Sequence, residues 1–169
     1  MAGIAHLSVG LAAKPAAPRI PVGILILAAY GIDIVFLGFM AAGLEHFPKE
    51  GVVVSAPWSH GLFMAVIWSV VAGVIANLIT KDQRTAVIIG LLFFSHWLVD
   101  FISHPMTAIF PGAPGLKVFF HDSPEVGLGL YRTQLGANLF EYGTLAVGLG
   151  IYIFTLIRLR RKKKLATEE

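Results

Sequence analysis

The chain is patterned as long apolar runs broken by short polar stretches, rather than as alternating or half-polar faces. Four runs reach the roughly 20 residues a helix needs to cross a hydrocarbon core. They cover residues 22–44, 59–80, 85–104 and 136–157. The punctuation agrees. Pro21 suits the first turn of a helix, Ser59 after Pro57 reads as an N-cap, and Pro105 disfavours helix at the residue before it. A shorter apolar stretch, 2–13, predicts a helix too short to span, followed by a loop holding Pro15, Pro18 and Pro21. No basic residue precedes its apolar part, so it does not read as a cleavable signal. Loop 105–135 is long for a bundle of this size, and such loops are more often functional or disordered than idle. A cap over a site and a loop without a role both fit it. The expected architecture is all-α: one integral membrane domain over 1–169, a bundle of four transmembrane helices plus a short N-terminal helix.

Composition sharpens this picture. At 169 residues, 56% hydrophobic and mean hydropathy +0.77, the chain is too apolar for an ordinary soluble domain. The absence of cysteine rules out disulfides and thiolate zinc sites, leaving nitrogen and oxygen ligands. The net charge of +3 is uneven: six of the thirteen basic residues lie in 158–164, directly after the last apolar run. A nucleic-acid surface needs basic residues on a folded face with aromatic or polar readers. A membrane-flanking anchor fits better, and no nucleic-acid partner is expected. With Lys14, Arg19, Lys81 and Arg84, ten basic residues fall on one predicted side, and only Lys49, Lys117 and Arg132 on the other. The positive-inside rule then puts both termini in the cytoplasm, with tail 158–169, and loops 45–58 and 105–135 outside.

Polar residues inside the apolar runs are the candidate chemistry, because ionisable groups in lipid are costly and either pair or serve a function. His96, Asp100 and His104 are spaced i, i+4, i+8, along one stripe of the third run. Each step of four drifts roughly 40°, so neighbours can share a metal while all three need an outside partner. Asp33 lies mid-way in the first run, His60 opens the second, and Glu141 sits just inside the fourth. At about 1.5 Å rise per residue, His60, His96, Asp100 and Glu141 fall within one leaflet's depth. Imidazole and carboxylate suit a divalent metal, zinc first, with manganese or iron behind it. Such an ion can acidify a water, and Asp33 or Glu141 would take its proton as general base. The blander reading makes His96 and Asp100 a buried hydrogen-bonded pair that locks helices. Glu45, His46, His121, Asp122 and Glu125 fall in or beside loops, where polar residues need no explanation. Trp58, Trp68 and Trp97 read as packing or belt residues.

Four elements occur in order: Ala5-His6-Leu7-Ser8-Val9-Gly10, the lone Asp33, Trp58-Ser59-His60-Gly61-Leu62 and Ser95-His96-Trp97-Leu98-Val99-Asp100. The series resembles the YdjM-like inner-membrane metal-dependent hydrolases, the so-called LexA-binding membrane proteins. The resemblance covers roughly residues 6–100. It implies His6, Asp33, His60, His96 and Asp100 as metal ligands, a bacterial inner-membrane location, and hydrolysis of an ester or phosphoester in a lipid-like substrate. Two departures favour a single metal, or a site that binds without turning over, over a two-metal centre. Gly31-Ile32-Asp33-Ile34 keeps one acid where the family often has two and lacks its proline. Val54-Ser55-Ala56-Pro57-Trp58 replaces a His-Arg-Gly element. His6 also strains the topology, since charge places it on the cytoplasmic side. A half-helix dipping inward would carry it about 12 Å beyond Lys14, near the depth of Asp33. Two rivals to the hydrolase stay open: a noncatalytic membrane protein with a buried His/Asp structural or metal-binding cluster, and a small transporter. The transporter is weakened by the lack of inverted repeats. Membrane lipid is the environment and the candidate substrate; nothing in the sequence sets an oligomeric state.

Overall fold

Each apolar run becomes helix, because backbone inside hydrocarbon has to satisfy its own N–H and C=O groups. The computed structural model describes residues 3–46 and 56–166; Lys49, and with it much of loop 45–58, lies outside the described residues. In chain order the helices are α1 (Gly3–Ala12), α2 (Val22–Ala29), α3 (Gly31–Ala41), α4 (Leu62–Thr80), α5 (Gln83–Ser103) and α6 (Gln134–Leu165). A short antiparallel ribbon, β1 (Leu116–Lys117) with β2 (Glu125–Val126), and a 3-10 turn at Leu130–Arg132 lie between α5 and α6. Helices α4, α5 and α6 are each long and apolar enough to cross a membrane. The α2–α3 pair makes a fourth span if counted as one, and it is bent by 58°. The all-α bundle with a short leading helix is the expected fold.

The bend is the main departure from the expected continuous span 22–44. Its corner residue, Tyr30, is held from two sides: the hydroxyl donates to the Gly3 carbonyl, and the ring meets His6 edge-on at 5.6 Å. Next to it, Gly31 lies under the Phe93 ring of α5, which would have to swing aside to admit a Cβ. Tertiary contacts therefore set the corner, and apolar periodicity carries no trace of them.

Smaller shifts have local causes. Helix α4 begins at Leu62 behind Gly61 rather than at 59. The Ser59 hydroxyl, expected to cap it, is taken by Glu45 instead. Helix α5 starts two residues before the expected 85, because Asp82 caps it through the amides of Arg84 and Thr85. Its carboxyl is held below the usual range by the Thr85 hydroxyl first, then by those amides. As Pro105 requires, α5 ends at Ser103 with His104 extended behind it. The basic tail is not a separate segment: α6 runs through it to Leu165. Loop 105–135 packs onto the bundle. Phe63 N donates to Val118 O at 3.0 Å and Leu128 N to Phe101 O at 2.8 Å, fastening the loop to α4 and α5. Leu116 is buried with Ile32, Ala65 and Trp97, and Lys117 pairs with Glu125 at 2.9 Å.

Helix α1 enters the bundle between α2, α5 and α6, as the half-helix reading of His6 requires. A helix start leaves amides without intrahelical partners, and Glu141 of α6 supplies one: its Oε2 accepts from Ala5 N at 2.7 Å. The flank of α1 lies hard against α6, since a Cβ on Gly148 would stand 2.5 Å from the Ser8 carbonyl oxygen. At its other end, Arg84 Nη2 donates to Ala16 O at 3.0 Å, drawing the α4–α5 turn onto the loop after α1. Pro15 and Pro18 of that loop face Arg158 and Lys162 of α6. Lys14, Arg19, Lys81, Arg84 and the tail thus share one end of the bundle, away from Lys117 and Arg132.

Gly148→Val should force α1 off α6, an overpacking cost of about 1–3 kcal/mol, and lower the melting temperature in detergent. Gly143→Val is the matched control, because a Cβ there meets nothing within 4 Å. Equal melting of the two variants would show that the α1–α6 contact is not tight.

Candidate metal centre

Five of the sequence candidates meet at one point. His6 arrives on α1, Asp33 on α3, His60 on the turn before α4, and His96 and Asp100 one turn apart on α5. Asp100 is the hub. Its Oδ1 lies 3.3 Å from His6 Nε2, while Oδ2 lies 3.5 Å from His96 Nε2 and 3.7 Å from His60 Nε2. Asp33 Oδ1 closes the other side, 3.3 Å from His60 Nε2 and 3.6 Å from His96 Nε2. The His6 and His96 rings stack in parallel at 3.7 Å. Two overlapping triads result, His6–His96–Asp100 and Asp33–His60–His96, and within each the ligand atoms lie inside 4.8 Å of one another.

Hydrogen bonds on the far ring nitrogens fix which way the His96 and His60 rings face. His96 Nδ1 lies 2.9 Å from the Ala29 carbonyl, which only accepts, so Nδ1 bears a proton and Nε2 faces the two aspartates. The bend presents that carbonyl: Ala29 is the last residue of α2, and helix ends leave carbonyls without intrahelical partners. For His60 the chain is one residue longer. Glu45 Oε2 accepts the Ser59 hydroxyl at 2.7 Å, so the Ser59 oxygen has only lone pairs left for His60 Nδ1, 2.8 Å away. His60 Nδ1 therefore donates, and its Nε2 faces the two aspartates. Glu45 is fixed in turn, its Oε1 accepting from Trp58 N at 2.9 Å and Ser59 N at 3.1 Å.

Imidazole nitrogens this close to carboxylate oxygens need a proton or a cation between them. With its imidazoles neutral the cluster would carry a charge of about −2, and no Lys or Arg among the described residues pairs with Asp33 or Asp100. Buried charge without compensation is strongly unfavourable. Both ring nitrogens of His6, His96 Nε2, Asp33 Oδ1 and both Asp100 oxygens are buried without a hydrogen bond. A divalent cation satisfies the charge and the unpartnered atoms together, so these residues fit one. Access is one-sided. His6, His96 and Asp100 are at most 1% exposed, whereas the Asp33 and His60 side chains are each 13% exposed.

His104 and Glu141 are not brought into either triad. His104 Nδ1 turns back to the Asp100 carbonyl at 3.0 Å, and burial pushes its pKa down to about 4, leaving the ring neutral at neutral pH. Glu141 is engaged at the start of α1; burial first, and then the Glu141 carboxylate beside it, push the Tyr131 phenol far above its usual range. Sequence reading passed over Glu45 and Ser59. Glu45 lies beside a loop but is only 4% exposed, and sequence carries no signal for that burial. The chain matches no family model, no curated protein and no solved structure.

Ser59→Ala should weaken divalent-ion binding about 10–100-fold, the usual effect of losing a partner behind a ligand, while Ser59→Thr retains it. Competition titration with a chromophoric chelator measures the affinity, and imidazole ¹⁵N shifts report the His60 tautomer. Unchanged affinity and tautomer in Ser59→Ala would remove Glu45 and Ser59 from the centre.

Proposed function

We propose that the chain is a membrane-embedded, metal-dependent hydrolase that cleaves an ester or phosphoester of a lipid-like substrate. The observation that carries the reading is the convergence of three imidazole Nε2 atoms on two carboxylates that pair with no Lys or Arg among the described residues. Zinc is the first choice of ion, because three imidazoles and two carboxylates make a ligand set that suits it. The resemblance of residues 6–100 to the YdjM-like hydrolases supports the same assignment. It also favours a bacterial inner membrane, with the basic end cytoplasmic by the positive-inside rule.

When bound, a divalent ion supplies Lewis acidity and acidifies a water. The protein's own residues do the rest. Asp100, His6 and His96 are packed in and nearly inaccessible, so they hold. Asp33 and His60 line the accessible side, and Asp33 is the cluster carboxylate placed to accept a proton there. The surrounding helices expose apolar residues such as Ile34, Leu37 and Val66. An amphiphile entering sideways from a leaflet therefore suits the site better than a water-soluble ester. The depth of His6, His96 and Asp100 also favours a second reading, a noncatalytic metal-binding cluster that braces the bundle.

The test is metal content of detergent-purified protein by mass spectrometry, for wild type beside His96→Ala and Asp100→Ala. Stoichiometric zinc, manganese or iron, removed by both substitutions, is expected. Metal-loaded wild type should then hydrolyse phospholipid or phosphoester substrates, and Asp33→Asn should be slower by about 10²–10⁴-fold. Metal-free wild type that added ions do not restore would sink the reading. Tightly held metal without turnover would leave the bracing cluster.

A further inference from the structure

A groove of about 560 Å³ lies at the basic end, between the loop after α1 and the last turns of α6. That volume falls within the usual range for small-molecule sites, roughly 300–1,000 Å³. Pro15 and Pro18 form one wall; Ile151, Phe154, Arg158 and Lys162 lie on the other. The loop wall is fixed. The buried Lys14 ammonium donates to Pro18 O at 3.1 Å and Ile20 O at 2.6 Å, and Arg84 holds Ala16 O from the neighbouring turn.

Arg158 and Lys162 stand one helical turn apart on the same face. Both are exposed, and neither makes an ion pair among the described residues. Deeper along that face the groove is apolar, with Ile151 and Phe154 one to two turns before Arg158. The slot therefore runs from apolar to cationic where the helix passes from its apolar run into its basic tail. Lys14, Arg19, Lys81 and the other tail residues add to the positive field at the same end. Prolines and apolar side chains would shield an acyl chain from water, and the two cations would hold an anionic head group.

We propose that this groove binds one anionic phospholipid, with its phosphate between Arg158 and Lys162 and an acyl chain along Ile151 and Phe154. The site lies at the opposite end of α1 from Glu141, is independent of the metal centre, and does not depend on the hydrolase reading. It differs from diffuse attraction of a basic tail to a charged surface in requiring one face of α6. Arg160 and Lys164 repeat the same i, i+4 spacing, about 200° around the helix from Arg158.

The experiment places the full chain in bilayers of equal parts phosphatidylcholine and phosphatidylglycerol and counts retained phosphatidylglycerol by native mass spectrometry. R158Q/K162Q is compared with R160Q/K164Q; each removes two charges from exposed helix positions. Retention should fall about thirtyfold in R158Q/K162Q, about fivefold per lost cation, and stay near wild type in R160Q/K164Q. Equal loss in both pairs would reduce the effect to the tail's net charge and overturn the site. Retention unchanged in R158Q/K162Q would overturn it as well.

Discussion

The structure is organised around the cost of keeping Asp100 and Asp33 inside an apolar bundle. Two carboxylates that pair with no Lys or Arg among the described residues need a cation or protonated partners. The imidazoles of His6, His60 and His96 surround them, with their Nε2 atoms aimed inward. Most irregular features of the fold serve that arrangement. The bend at Tyr30 presents the Ala29 carbonyl to His96 and sets Asp33 against it. The delayed start of α4 leaves Ser59 and His60 in a turn, where Ser59 can link His60 to Glu45. Helix α1 is too short to span, yet its length brings His6 from the basic end to Asp100.

Positioning by α1 depends on its own polar start. A helix beginning inside apolar surroundings exposes unpaired amides and a positive dipole end. Glu141 answers both, and this accounts for an acid inside the α6 span without assigning it chemistry. Tyr30 adds a second tie at Gly3. The first turn of α1 is thus fixed by α6 and by the bend, and His6 lies in that same stretch. Glu141 and Asp100 therefore act in sequence along α1, since the first seats the helix and the second receives its histidine.

Legibility in the sequence followed the range of the determining contacts. The runs that became α4, α5 and α6 were readable because hydropathy over twenty residues is a local property. His96 and Asp100 were readable because four-residue spacing fixes a shared helix face. The depth of His6 followed from counting rise per residue from Lys14. The bend was not readable: Gly31 is one glycine among many, and the Phe93 ring that packs on it is sixty-two positions away in sequence. Glu45 was discounted because loop acids are ordinarily solvated, and only the folded turn at Pro57–Ser59 buries it. His104 is legible only as far as its helix reaches. Its place in the i, i+8 stripe fits ligation, but α5 ends before Pro105 and the ring folds back on the Asp100 carbonyl.

The cluster is also unequal across its width, and that inequality bears on chemistry. The His6–His96–Asp100 side is sealed by stacked rings and by packing of α1 against α5 and α6. The Asp33–His60 side is held by the bent segment and a turn, with Phe36 edge-on to His60 at 5.5 Å. A rigid, inaccessible half and a more open half are what a site needs if it is to hold an ion while admitting a reactant. A purely bracing cluster has no such need: it would be served as well by burial on all sides. The partial exposure of one aspartate and one histidine, in a centre where every other group is sealed, makes that side the route by which an ion or water would reach the cluster.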